Sequence, residues 1–476
     1  MAKTIYFTIC AANYLGYART LATSLRQAGV DIEFKVFLAD RCAREVIDAV
    51  PDLQIISVES LEITELQEMA FRYGVVEFCT ALKPFAFEYV FDSLGADFAV
   101  YLDPDIFVLR PLDHVTAAFG NGAQCILIPH ITAPLDGGKI PDTPTILRTG
   151  VYNLGFAAFA NRAEARSFIG WWGRQLRHDC RIDFERGIFV DQRYCDLAPC
   201  FIAAAAILRQ PGYNVAYWNL PHRHVEKTGA SYTVNSEPLY FVHFSGVELA
   251  HPDIFSKYQD RFSRDNIGAL RPLYDHYLAV LAASNVTAIG SLTVLPYAFA
   301  TLNNGRKIVN PYRWAFEQYR KEACSPNPFD LDDAFFNATA SDIPRFGPLG
   351  VSRLYAAVWR ERRDLQPIFH IETRIGQLLF LDWARTAFAS EYGIPEELLL
   401  ASSLSGPASI EVTSSHGALD GAEIAIEVLV GALLSLSRNI KNVLRLLFKG
   451  RRRAASYWRG KIGEALTARR DQLRRM

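Results

Sequence analysis

The sequence has almost no net charge: 50 Lys and Arg stand against 51 Asp and Glu, leaving −1 over 476 residues. Taken whole, that balance argues against a polyanionic partner such as nucleic acid. The eight cysteines include no CxxC and no paired spacing. In a chain this long they read as reduced thiols rather than a disulfide frame. The start, MAKTIYFTICAANY, has one lysine and then a strand-like alternation, with no signal-peptide layout. A cytoplasmic protein is expected, so the sequons at Asn285 and Asn337 are set aside. A long uninterrupted apolar run is also lacking. Residues 277–305 carry no charge, but Ser284, Asn285, Thr287, Ser291, Thr293 and Pro296 interrupt them. A spanning helix needs about 20 predominantly apolar residues. The stretch reads as a buried segment with a turn. No internal repeat is present.

What the chain does have is apolar residues, at 50% of the total, enough for a large core. The first 130 residues alternate strand and helix patterns. TIYFTICA (4–11), EFKVFLAD (33–40), LQIISV (53–58), DFAVYLDPDIFVL (97–109) and QCILIPH (124–130) read as strands, and GYARTLATSLRQAG (16–29) as a helix. Apolar strands separated by helices predict an α/β protein with a mostly parallel, doubly wound sheet. Ligands of such sheets bind beyond the carboxyl ends of the strands. DGGKIPDTP (136–144) reads as a flexible loop able to act as a lid. A mainly helical domain, placed on the acceptor side, is expected at 266–400, then a Ser/Gly/Ala-rich linker at 401–422.

The sharpest chemical signal is YLDPDIFVL. Asp103 and Asp105, one residue apart where a strand ends, offer the carboxylate oxygens that hard divalent cations take. Such a cation can bridge a diphosphate and stabilise its charge as it leaves. FVHFSG (241–246) adds His243, able to complete a metal shell, and Gly246, which lets backbone approach a phosphate. A satisfied core histidine is the plainer alternative. YNLGFAAF (152–159) presents Asn153 and Gly155 for a sugar hydroxyl, or a simple turn. FVDQRY (189–194) presents Asp191 and Gln192, an acid–amide pair suited to a polyol, or a helix N-cap. TALKPF (80–85) offers Lys83, for a phosphate or for solvent.

In this order the motifs resemble the retaining GT-A glycosyltransferases, particularly glycosyltransferase family 8 and its bacterial relatives. The resemblance covers about residues 3–260. It implies a GT-A domain over 1–265, with a Rossmann-like mixed sheet that binds a UDP- or GDP-sugar. It gives Asp103, Asp105 and His243 the binding of Mn²⁺ (or Mg²⁺) with the donor diphosphate. It places Ile9, Ala11, Asn13 and Tyr14 at the nucleotide, and Asn153, Gly155, Asp191 and Gln192 at the donor sugar. Lys83 matches the basic residue ahead of the Asp-x-Asp strand. The implied reaction is transfer to a glycan or lipid-linked acceptor, in bacterial surface polysaccharide or glycoconjugate synthesis. Retention by front-face attack makes Asp191 and Gln192 stabilisers; a nucleophilic Asp191 is the alternative. One departure stands out. The family continues His-Phe-x-Gly-x-x-Lys-Pro-Trp, whereas Leu249, Ala250 and His251 occupy the last three positions here. Arg223 and Lys257 are the candidates to replace the missing diphosphate-binding lysine. A sugar nucleotidyltransferase would want a Gly-rich, basic loop after the first strand, and CAANYLGYAR is not one. An inactive, glycosyltransferase-like scaffold is the alternative from another class.

The charge balance hides a division. Residues 437–476 hold thirteen Lys and Arg against Glu464 and Asp471, a net +11, so the rest of the chain is −12. Ile426, Leu429, Leu433, Leu436, Ile440, Val443 and Leu447 form one helical stripe, with Arg438, Lys441, Arg445, Lys449 and Arg452 nearly opposite. Residues 423–476 therefore read as a basic amphipathic tail for an anionic membrane surface, peripheral on the inner face. Helix packing, a short coiled coil or a homodimer is the alternative. Removing 423–476 is expected to abolish binding to anionic liposomes in a flotation assay. Equal flotation of the 1–422 chain would contradict the membrane reading.

Overall fold

The first strand, β1 (Thr4–Cys10), is buried along nearly its whole length. Its alternate residues serve two cores: Ile5, Phe7 and Ile9 enter one, and Tyr6 and Cys10 enter others. An unbroken apolar run is what a strand covered on both faces requires. The other sheet strands are β2 (Glu33–Leu38), β3 (Ile55–Ser57), β4 (Phe98–Leu102), β6 (Cys125–Pro129), β7 (Tyr152–Ala160) and an edge strand, Ala205–Ile207. The seven-stranded order is edge–β6–β7–β4–β1–β2–β3. Every neighbouring pair is parallel except those of β7, which runs antiparallel to β4 and β6. The sheet is therefore mixed α/β. Because β7 alone is reversed, its first residues lie at the edge where the other strands end. Structure is described for residues 2–29, 33–135, 137–346 and 350–394 of a computed structural model. The chain divides into two units, 1–403 and 404–476, and only the first contains described residues. The linker and basic tail read at 401–476 lie outside the described residues.

The run 97–109, read as one strand, is two. β4 stops at Leu102 and β5 (Ile106–Val108) begins after the Asp-Pro-Asp turn. Pro104 has no N–H to continue a ladder, and the Ile106 N–H donates to the Asp103 carbonyl at 3.1 Å. β5 leaves the large sheet and pairs antiparallel with Phe241–His243, with His243 opposite Ile106. This break carries the late histidine to the aspartates.

Residues 266–394 are mainly helical, with helices at Arg271–Asn285, Asn310–Tyr319, Arg353–Glu361 and Arg374–Tyr392. They do not have a core of their own. Phe316 packs edge-on to Phe71 at 5.0 Å, and Phe299 meets Phe78 at 5.7 Å. Buried Arg313 donates to the carbonyls of Phe71 and Tyr73, and Arg72 pairs with Glu317 at 2.8 Å. The boundary read at 265/266 is thus not a boundary in packing, because the helices at Leu66–Arg72 and Val75–Ala81 need this cover for their apolar faces.

Two further readings change. The uncharged stretch 277–305 does contain a turn, a hairpin of Val286–Thr287 with Gly290–Ser291. It is not buried throughout, since Val294 is 78% exposed. Among the described residues no helix is long and apolar enough to cross a membrane. The loop read as a lid is tethered: Asp260 accepts from the Ile140 N–H at 2.7 Å, and Arg261 donates to the carbonyls of Lys139 and Pro141. All eight cysteines are free thiols.

Phe316→Ala is expected to cost about 3–5 kcal/mol and to shift one shared unfolding transition in urea. Two transitions, with only one displaced, would show that the helical part has its own core.

Candidate functional site

The strand ends bring Asp103, Asp105 and His243 into one triangle, each offering a ligand atom within 4.8 Å of the others. His243 Nε2 lies 3.0 Å from Asp105 Oδ1 and 3.6 Å from Asp103 Oδ2. The aspartates are half-buried and the imidazole is buried. Burial alone pulls His243 down, but Asp105 and Asp103 outweigh it and hold the ring above the ordinary histidine value. Two carboxylates and an imidazole suit a hard or borderline divalent metal. The register of β4 on β7 sets Asp103, whose N–H donates to the Gly155 carbonyl at 2.8 Å. Gly155 has a steric reason to be glycine: a Cβ there would meet His243 Cε1 at 2.3 Å.

Lys83 opens the helix Lys83–Asp92 and points inward, 2% exposed. It lies 2.8 Å from Asp191 Oδ2 and 3.9 Å from Asp103 Oδ1, and donates to the Leu154 carbonyl at 2.8 Å. Its ammonium also sits 4.4 Å from the Tyr101 ring centre. Burial works against the charge, but Asp191 and Asp103 outweigh it and hold Lys83 above the ordinary lysine value. The solvated-lysine alternative is therefore out. Asp191, 1% exposed, caps no helix with its side chain, so the N-cap alternative fails too. Val190 before it sits at φ 41°, a left-handed conformation costly for a β-branched residue. Gln192 accepts from the Leu154 N–H at 3.1 Å and donates to the Thr149 carbonyl at 2.6 Å.

Behind His243 is a neutral polar layer. Asn153 Oδ1 lies 3.2 Å from His243 Nδ1 and accepts from Asn214 at 3.0 Å. Asn153 Nδ2 meets His130 Nε2 at 3.3 Å, and His130 Nδ1 lies 2.8 Å from the Gly150 carbonyl. Trp218 closes the layer, its ring edge-on to His243 at 5.2 Å and to His130 at 5.5 Å.

The nucleotide candidates flank the triangle unequally. Ile9 and Ala11 are buried, Asn13 is half-buried, and only Tyr14 is exposed, stacked on Tyr17 at 4.5 Å. The Tyr17 hydroxyl donates to the Val247 carbonyl at 3.1 Å, joining this loop to the His-Phe-Ser-Gly loop. Gly246, at φ +79°, has no room for a Cβ beside Ser256 and Tyr258. Arg223 is not brought to the carboxylates. It is 3% exposed and donates to the Tyr213 carbonyl, and burial lowers it to about 9. Lys257 is better placed: its N–H donates to the Gly246 carbonyl at 3.2 Å, and its ammonium lies 2.6 Å from Glu248.

Sequence reasoning missed Tyr101, His130 and Asn214. Tyr101 donates to Asp103 Oδ1 at 2.5 Å. His130 carries the one available signal, a polar residue ending an apolar strand as Asp103 does. Asn214 shows its role only in the fold, at φ 54° and fully buried.

No family model matches the chain. It is 26% identical over 253 residues to an uncharacterized protein of Bacillus subtilis (strain 168), YfnD, a match covering 52% of this chain and 79% of that one. Among solved structures it is similar to a galactosyltransferase, LgtC, in complex with donor and acceptor sugar analogs. There the identity is 13%, the TM-score 0.37, and the coverage 62% of this chain and 97% of that one. It is also similar to a glycosyltransferase, GlyE, of Streptococcus pneumoniae TIGR4, at 13% identity and TM-score 0.32, over 60% of this chain and 63% of that one.

Burial lowers His130 from 6.5 to about 4, against a raising hydrogen bond to Gly150. Between those values the unfolded chain binds a proton that the folded chain refuses. The stability present above pH 6.5 is therefore lost as pH falls toward 4, by about 3 kcal/mol. Urea unfolding across this window should show that component in the wild type and not in His130→Gln. Parallel profiles would contradict a buried, neutral His130.

Proposed function

We propose that this chain is a metal-dependent glycosyltransferase that moves a sugar from a nucleotide diphosphate donor to a glycan or lipid-linked acceptor, with retention. The observation that carries the reading is the meeting, at one sheet edge, of the Asp103–Asp105–His243 triangle with the Lys83–Asp191 pair. A donor needs a cation-holding site for its diphosphate and polar groups at its sugar, and those two clusters supply them side by side.

Asp103, Asp105 and His243 would hold Mn²⁺ or Mg²⁺, which neutralises charge on the departing diphosphate. Lys257 is tied to Gly246 by its backbone N–H, and exchanging Glu248 for a phosphate oxygen would let its ammonium stand in for the missing lysine. Tyr14 offers an exposed ring to the base. Burial raises the Asp191 carboxyl above its ordinary value, against the opposing pull of Lys83 at 2.8 Å, and that ammonium lies 3.9 Å from Asp103 on its other side. Negative charge on Asp191 would favour an oxocarbenium-like sugar, and Gln192 keeps the adjoining backbone in place. This arrangement favours attack by the acceptor on the face the diphosphate leaves. A part in bacterial surface polysaccharide or glycoconjugate synthesis, beside a membrane, fits such an acceptor and the basic tail.

A thermal-shift screen of UDP- and GDP-sugars should find one donor that stabilises the protein with Mn²⁺ and not without it. That donor should be slowly hydrolysed, and Asp103→Ala should lower the rate at least about 100-fold, some 2.7 kcal/mol of transition-state stabilisation. Stabilisation by no nucleotide sugar, with or without metal, would sink the proposal.

A further inference from the structure

Asp40 is a buried acid with no part in the reaction proposed above. It follows β2, is 2% exposed, and among the described residues takes its hydrogen bonds from backbone alone. Burial raises its carboxyl above the ordinary value, against the N–H groups that lower it. Oδ1 accepts from the Arg41 N–H at 2.9 Å and from the Ala298 N–H at 2.9 Å, the second of them 258 residues away in the chain. Oδ2 accepts from the Ala12 N–H at 3.2 Å. Burying an acid is costly, and these three bonds are what offsets it.

Both distant partners belong to segments that bear on the candidate site. Ala12–Tyr14 is a single turn that runs into the helix Leu15–Gln27, and the first N–H groups of a helix find no partner within it. Ala11, just before the turn, has no side-chain oxygen to accept one, so the acceptor comes across from the end of β2. Ala298 opens the turn Ala298–Ala300, whose Phe299 is buried against Phe78 at 5.7 Å and lies 5.0 Å from the Arg41 guanidinium. Leu292, fully buried, packs in one cluster with Ala12 and Leu15. The chain after 286, placed on the acceptor side by its sequence, thus touches the loop read as nucleotide-binding.

We propose that Asp40 is a positioning residue for the donor nucleotide: its two oxygens clamp the loop Ala11–Tyr14 to the turn at Ala298, so that the helical part of the chain serves the donor side. The consequence for binding rests on the reading of that loop as the nucleotide site. An amide cannot replace the carboxylate. Asparagine has one accepting oxygen. Kept on Arg41 and Ala298, it turns its NH₂ toward the Ala12 N–H; turned over, it abandons the other two. The first choice keeps more bonds, so Asp40→Asn releases Ala12 and retains Ala298.

The test uses the full chain, Asp40→Asn beside the wild type. Hydrogen exchange read by mass spectrometry follows peptides spanning residues 8–16 and 294–302. Isothermal titration reads Mn²⁺ alone, then UDP and GDP in saturating Mn²⁺. Without ligand, the Ala12 peptide should be protected in the wild type and exchange at least about 10-fold faster in Asp40→Asn, with the Ala298 peptide little changed. The nucleotide should bind the variant about 10-fold more weakly, with Mn²⁺ alone bound equally well. In the wild type the nucleotide should slow exchange in both peptides, and in the variant its effect on the Ala298 peptide should fall away. An unprotected Ala12 in the wild type overturns the proposal, and that result needs no variant to fold. So does a variant that exchanges or binds nucleotide as the wild type does. Equal weakening of Mn²⁺ and nucleotide also overturns it, since that marks a general loss of packing, and so does a wild-type Ala298 peptide that ignores the nucleotide. Faster exchange at Ala12 in the variant of a protein that takes up neither UDP nor GDP supports the clamp and removes the nucleotide reading instead.

Discussion

A single buried ammonium holds the site together. Lys83 lies out of water, and an isolated charge in such a place is expensive. It is tolerated because three parts of the chain converge on it: the Asp191 carboxylate, the Leu154 carbonyl of β7 and, further off, Asp103 at the end of β4. The dependence is mutual. Asp191 would be an unpaired buried anion without Lys83, and breaking such a pair costs about 3–5 kcal/mol. The ion pair therefore locks the donor-sugar candidates to the metal-binding candidates, and the strained backbone at Val190 persists inside that lock.

The second constraint is the break in the Asp-Pro-Asp strand. Were residues 97–109 a single strand, Asp105 would stay in the large sheet and His243 would have no partner strand beside it. Pro104 ends the ladder, β5 departs, and the antiparallel pairing of Ile106 with His243 closes the triangle. The same edge receives Asn153 because β7 alone runs backwards. Strand direction and one proline thus explain how motifs some 140 residues apart reach one place.

Much of this is legible in the sequence. The apolar runs of β1, β2, β4 and β6 announce buried strands, and Asp103, Asp105, His243, Lys83 and Asp191 stand out through the order of their motifs and the family that order resembles, each being weak alone. What is not legible has physical causes. Periodicity cannot see that Pro104 redirects a strand. Nor can it see that the helices after 266 share a core with Phe71 and Phe78, since apolar faces do not name their partners. Arg223 resembles a phosphate ligand because it is basic and near the right motif, yet burial turns it to the Tyr213 carbonyl. His130 and Asn214 are invisible because they meet the site through another polar side chain, Asn153, and such contacts leave no pattern in spacing.

The central claim is that the aspartates and His243 form a metal site shared with a donor diphosphate. Electron paramagnetic resonance of Mn²⁺ added with UDP or GDP tests it most directly. The account predicts a nitrogen coupling that disappears in His243→Ala, together with a phosphorus coupling that appears only with the nucleotide. A spectrum of fully hydrated Mn²⁺, or nitrogen coupling that survives His243→Ala, would contradict it.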